Sequence, residues 1–176
     1  MKVLDGTIVT FTGELFCPLD PDPSKINIED VAHALANSCR FTGHVRKFYS
    51  VAQHSVLCSM LVPNELRLTA LLHDASEAYL SDVARPIKHA SDGTFGLMYR
   101  EVEDRLEQAI AERFGTEYPK PEAVDWADKV MLRSEQRDLM PNLLRWEGDD
   151  YLDYVIDPWE PDHAKGAFLS TFHAVS

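Results

Sequence analysis

From Asn27 onward, apolar residues return every three or four positions, in segments bounded by residues that start or stop helices. Ile28, Val31 and Leu35 stand at i, i+3 and i+7, the spacing of one helix face. Asn27 precedes them as an N-cap, and Glu29 and Asp30 favour the positive end of the dipole, so a first helix is expected to about Arg40. Ser50 and Gln53 have capping-box spacing ahead of Val51, Val56, Leu57, Met60 and Leu61, which starts a second helix with His54 in its first turn. Asn64 caps a third through "ELRLTALLHDASEAYL", with Leu68, Leu71, Leu72 and Ala75 as its buried stripe. "GLMYREVEDRLEQAIAERFG" reads as an exposed-faced helix ended by Gly115. "PEAVDWADKVMLRSEQRDLM" is another, opened by Pro121 and closed by Pro141, and "HAKGAFLSTFHAV" closes the chain. Only residues 6–16, "GTIVTFTGELF", β-branched and aromatic around Gly13, read as a short strand or hairpin. "CPLDPDPSK" is a proline-rich loop and "EGDDYLDYVIDPWEPD" an acidic surface loop. The fold expected is an all-α helical bundle with a short N-terminal strand or hairpin.

The 176 residues, 45% of them hydrophobic and 26% charged, suffice for a single domain over 1–176 with its own core. A formal charge of −12 argues against a surface that neutralises a nucleic-acid polymer, so a phosphate-bearing partner is expected to be small and held locally. Cys17, Cys39 and Cys58 are odd in number and widely spaced, which makes no readable disulfide framework or metal knuckle and fits a reducing compartment. The start, "MKVLDGTIVTFTGELF", builds no signal-peptide core, and no apolar run approaches the length of a membrane span. The expectation is a cytoplasmic protein without a membrane partner.

The third helix is odd for a buried one, because "LLHDASEAYLSD" sets four titratable groups in an apolar segment. His73 and Asp74, with His54 on the second helix and Asp128 on the fifth, make two imidazoles and two carboxylates. That mixed N/O set suits a hard or borderline divalent ion, with positions left over for water. On a regular helix His73 and Asp74 lie about 100° apart, so both reach one ion only at the seam between them. Glu77, three residues from Asp74 and four from His73, shares their face and is near enough to act on a water acidified by the ion. The spacing is equally open to a hydrogen-bonded core histidine beside a solvated aspartate.

The "HD" pair on a helix, with "VAQHS" before it and "WADK" after it, resembles the HD-domain phosphohydrolase superfamily. More closely, "RFTGHVRKFYSVAQHS" joined to "LLHDASEAYLSDVARPIKH" is similar to small HD enzymes that include bacterial 5'-deoxynucleotidases and phage dATP triphosphohydrolases. The similarity spans roughly residues 27 to 135. It implies an HD-domain helical bundle, with His54, His73, Asp74 and Asp128 as ligands of one catalytic divalent metal: Mn, Co, Fe, Zn or Mg. It implies that Glu77 positions or deprotonates the attacking water and that Asp82 is a second acid/base group facing the leaving oxygen. Arg40 and Lys88 fall where such enzymes contact phosphate.

Each of these roles has a plainer alternative: Asp82 as a turn cap, Lys88 as a solvated loop lysine, and Arg40 at a helix C-terminus answering the dipole. Arg46, Lys47 and Arg85 add to a local basic concentration beside these motifs. His44 is read as lining the substrate site rather than ligating, and Phe41 and Tyr79 as able to stack on a base or sugar if not taken up by the core. His89 alone lies between His73 and Asp128, where two-metal HD proteins carry two further histidines, so a mononuclear site is expected. His33, His163 and His173 are read as structural or solvated, and Trp126 and Trp146 as core.

The activity implied is metal-dependent hydrolysis of a small-molecule deoxynucleotide, as 5'-monophosphate or triphosphate, by a homo-oligomer. Two alternatives stay open: a hydrolase or phosphodiesterase for another phosphorylated metabolite, and a catalytically silent nucleotide-binding module. Base preference is not legible.

Overall fold

A computed structural model describes residues 6–88, 93–141 and 150–176. Among the described residues there are eight α-helices and one two-stranded antiparallel sheet, an all-α fold with a short N-terminal hairpin. The strands are β1 (Ile8–Val9) and β2 (Leu15–Phe16), with Ile8 opposite Phe16 and Val9 opposite Leu15. Gly13, at φ +89°, closes the turn by donating to the Thr10 carbonyl. Thr12 then anchors the tip by donating its amide and its hydroxyl to Asp30 at 2.7 and 2.9 Å.

The helices are α1 (Ile28–Asn37), α2 (Val51–Met60), α3 (Arg67–Leu71), α4 (Glu77–Leu80), α5 (Arg85–Lys88), α6 (Thr94–Phe114), α7 (Glu122–Leu139) and α8 (Pro161–Val175). Every residue of α2 except Met60 is buried, because α1, α3, α7 and α8 all pack on it. An apolar surface with small polar residues all round is what a central helix needs, and Ser55 and Ser59 sit inside it. Phe16, Val31, Leu35, Val56, Leu71 and Phe168 belong to the main core. A second cluster joins Tyr49, Leu57, Met131, Leu152 and Ile156.

Several boundaries differ from those read in the sequence. The first helix ends at Asn37, so Arg40 is not at a helix C-terminus and the dipole reading of it falls. Asn64 opens a single 3-10 turn without capping it. Ser50 does cap α2, accepting from the Gln53 amide at 3.1 Å, but the box is not reciprocal. The Gln53 side chain instead spans to residues 157–159, donating to the Asp157 carbonyl and accepting from the Trp159 amide, both at 2.8 Å. A buried amide there satisfies main-chain groups that pass under the fold. The stretch from Asp150 is accordingly no plain surface loop, since Leu152 and Ile156 are buried and Arg137 and Asp138 hold its backbone. Trp126 is 47% exposed, because α7 turns Val124, Ala127, Val130 and Met131 inward instead. Trp146 and His89 lie outside the described residues.

The largest departure is in the third helix, which is not continuous. α3 stops at Leu71, α4 starts at Glu77, and between them the chain winds more tightly through bonds from Ala75 to Leu72, Glu77 to Asp74 and Tyr79 to Ser76. The Ala70 carbonyl accepts a hydrogen bond from His73 Nδ1 at 2.7 Å, so a side chain competes for the helix's own acceptor where the helix ends. His73 and Asp74 sit in this turn.

Candidate metal centre

α2, the turn after α3, and α7 each contribute to one buried point. His54 Nε2 lies 3.3 Å from His73 Nε2, 3.3 Å from Asp128 Oδ1 and 3.6 Å from Asp74 Oδ2. His73 Nε2 lies 3.3 Å from Asp74 Oδ2 and 3.9 Å from Asp128 Oδ1. The four residues named from the sequence therefore converge. A tetrahedral ion with ligands at about 2.0–2.2 Å sets its donors about 3.3–3.6 Å apart, so most of these separations match the edges of a coordination polyhedron.

The hydrogen atoms sharpen this fit. His54 Nδ1 meets Glu135 Oε1 at 2.6 Å and His73 Nδ1 meets a main-chain carbonyl. Both partners only accept, which assigns the proton of each neutral ring to Nδ1 and leaves both Nε2 lone pairs pointing inward. Two imidazole lone pairs and two carboxylate oxygens thus face one another across 3.3–3.9 Å. Four acceptors around one point repel unless a positive charge lies among them. The same field acts on protons: burial and the Arg40 charge oppose a charged His54, yet Cys58, Glu135 and Asp128 outweigh them and hold its proton affinity well above the ordinary value. Against burial, His54 keeps Asp128 well below the usual carboxylate range.

Cys58, one turn beyond His54 on α2, was not singled out in the sequence. Its Sγ lies 3.4 Å from His54 Nε2 and 4.0 Å from Nδ1, alongside the ring. His54, Cys58, His73 and Asp128 all offer donors within 4.8 Å of one another and could hold a metal ion. The i, i+4 spacing of His54 and Cys58 was the available signal.

Glu135 was also missed. It is fully buried on α7, two turns beyond Asp128, and accepts from His54 Nδ1, the Tyr49 hydroxyl at 2.9 Å and Arg40 Nε at 3.2 Å. Arg40 reaches on to Asp74 Oδ2 at 3.3 Å. This buried acid is thus the support that orients a ring and, through Arg40, a carboxylate. Arg40 itself is held between Glu135 and Asp74, with 12% of its side chain exposed.

Glu77 is buried, its Oε1 lies 3.7 Å from Lys88 Nζ, and its Oε2 has no hydrogen-bond partner among the described residues. Burial, then the charges of Asp74 and Asp82, push its carboxyl well above the ordinary value. Asp82 follows Ser81, whose φ of +68° turns the chain out of α4. Lys88 ends α5 and donates to Glu103 at 2.7 Å, so it is no solvated loop lysine. Phe41 and Thr42 take left-handed φ values of 56° and 52°, a backbone strain of about 1–3 kcal/mol each, and the Arg40 guanidinium lies 5.6 Å from the Phe41 ring centre. His44 is exposed, as are Arg46 and Lys47, whereas Tyr79 packs against Phe16 in the core. His33 stacks on Phe11 and His163 on Trp159.

The fold and this cluster define an all-α protein with a buried metal-binding-type centre of histidine and acid. No family model matches the chain. Uncharacterized protein YfdR of Escherichia coli (strain K12) is 38% identical over 174 residues, 96% of this chain and 95% of that protein, and the chain belongs to its family. An uncharacterized protein of Rhodobacter capsulatus, RCAP_rcc00048, is 42% identical over 130 residues, 66% of this chain and 64% of that protein. Among the described residues no helix is long and apolar enough to cross a membrane.

Proposed function

We propose that this chain is an HD-type, metal-dependent phosphohydrolase of deoxynucleotides, releasing nucleoside with phosphate from a 5'-monophosphate or with triphosphate from a dNTP. The observation that carries the reading is the inward convergence of two Nε2 lone pairs and two carboxylate oxygens, with both Nδ1 atoms tied back. His54, His73, Asp74 and Asp128 would hold the ion, with Cys58 beside them. A divalent cation there supplies Lewis acidity to a phosphoryl oxygen and acidifies water.

The remaining chemistry belongs to this chain's own residues. Glu77 takes a proton from the attacking water at Oε2, and the burial and then the neighbouring acids that raise its proton affinity let it keep that proton. Asp82 takes up a proton from solvent and passes it to the leaving oxygen, and Glu77 gives its own back to solvent before the next turnover. Arg40 keeps Asp74 oriented rather than standing free for phosphate. Lys88 holds Glu77 and Glu103 together.

The test is turnover of deoxynucleoside mono-, di- and triphosphates, with other phosphorylated metabolites alongside, in Mg, Mn, Co and Zn, with products resolved. Metal-dependent release of nucleoside is expected. No turnover of any phosphorylated compound with any of the metals would refute the proposal.

A further inference from the structure

We propose that Lys120, on the connection between α6 and α7, is a phosphate-contacting residue beside the candidate metal centre; this rests on the phosphohydrolase reading above. Lys120 lines a solvent-open cleft with His73, Thr69, Glu107 and Tyr118, so its side chain borders the same turn that carries the ring of the candidate centre.

Arg40, Lys88 and Lys120 are not equally available. Arg40 is shared between Glu135 and Asp74, and Lys88 between Glu77 and Glu103. Each is matched by two carboxylates at 2.7 to 3.7 Å. Lys120 has one ion-pair partner among the described residues, Asp125 at 3.3 Å, and both members of that pair are about two-fifths exposed. Such a surface pair contributes little and is readily exchanged.

The charges of Asp74 and Asp128 also act on Lys120, beside its ion pair with Asp125. These two face the centre. A divalent ion held by Asp74 and Asp128 would leave Lys120 with the exposed Asp125 pair as its countercharge, and a phosphate at the centre would add to it. Glu107 shares the cleft and would oppose an anion, but burial and the neighbouring Glu103 push its carboxyl up to about 7, so it carries only part of a charge near neutrality.

The experiment is titration of inorganic phosphate into the manganese-loaded full chain by calorimetry, for the natural protein, Lys120→Met, Lys120→Arg and the distant control Lys165→Met. Manganese affinity is measured on the same four proteins. Lys120→Met should weaken phosphate binding at least tenfold, Lys120→Arg should restore most of it, and Lys165→Met should change nothing, with manganese affinity within a factor of three throughout. Where a substrate is turned over, Lys120→Met should raise KM more than it lowers kcat. Phosphate binding by Lys120→Met equal to that of the natural protein overturns the proposal, as does failure of the manganese-loaded natural protein to bind phosphate. Loss of the phosphohydrolase reading looks different: phosphate binds and depends on Lys120, yet no phosphorylated compound is cleaved.

Discussion

Replacing Glu135 by Gln removes one charge from the support of the centre without changing its size. The carboxylate divides its work, Oε1 accepting from His54 and Tyr49 and Oε2 from Arg40. A Gln can put its oxygen on one side only. If it keeps His54, its amide group faces the Arg40 guanidinium, donor against donor, and a buried cation is left with Asp74 alone. Breaking a buried charge pair in this way costs about 3–5 kcal/mol. For 176 residues the unfolding entropy is roughly 0.4 kcal/mol per kelvin, so the metal-free protein should melt about 8–13 °C lower. Metal affinity should fall about 10- to 100-fold, the usual loss when the partner of a ligand histidine is changed, or about 1.4–2.7 kcal/mol. Calorimetric melting without metal, and manganese titration of protein folded at low temperature, read the two effects separately. The double variant Arg40→Met with Glu135→Gln removes the stranded guanidinium. It should recover much of the stability while metal binding stays weak, because His54 still lacks its carboxylate and Asp74 loses Arg40. A Glu135→Gln protein that melts within 2 °C of the natural one and binds manganese within threefold would refute the reasoning.

Asp74→Asn should lose metal and activity together, since Oδ2 of Asp74 stands 3.3 Å from His73 Nε2; metal retained at full affinity would remove Asp74 from the ligand set. Glu77→Gln should keep metal and slow turnover about 10²- to 10⁴-fold, and unchanged turnover would deny it the proton transfer. In the metal-free protein, Arg40 with His54 holds Glu135, and His54 holds Asp128, below ordinary carboxylate values despite burial. Depressed carboxyls stabilise the fold above their unfolded pKa, and that contribution is lost as pH falls through the folded value, so melting temperature should drop steadily from pH 5 to pH 3. A flat profile there would contradict the electrostatic picture. Glu107 runs the other way: its carboxyl is pushed up to about 7, so the fold loses stability as pH rises from the unfolded value through 7. Glu107→Gln should therefore gain melting temperature relative to the natural protein between pH 5 and 8, and a difference independent of pH would refute the shift.

The candidate centre was legible because its four residues are of rare type for their setting. A histidine among the apolar residues of α2, and the pair His73 and Asp74 beside Leu71 and Leu72, contradict the apolar pattern around them, and such contradictions stand out in one dimension. Cys58 and Glu135 escaped notice for the opposite reason. A cysteine in an apolar helix and a glutamate in an acidic, exposed-looking one agree with their surroundings, and only the fold shows that one lies against His54 and the other is fully buried beneath it.

The all-α class, the hairpin at residues 6–16 and helices α1, α2, α6, α7 and α8 were determined by the sequence alone, because spacing of apolar residues, caps and turn formers act over a few residues. The break after Leu71 was not, since the contest between the Asp74 amide and the His73 ring for one carbonyl depends on where that ring is held by its distant neighbours. The tertiary structure likewise decided which cations are committed. Arg40, Lys88 and Lys120 carry the same charge in the sequence, and their difference lies in carboxylates that approach them through space from as far as 95 residues away in the chain.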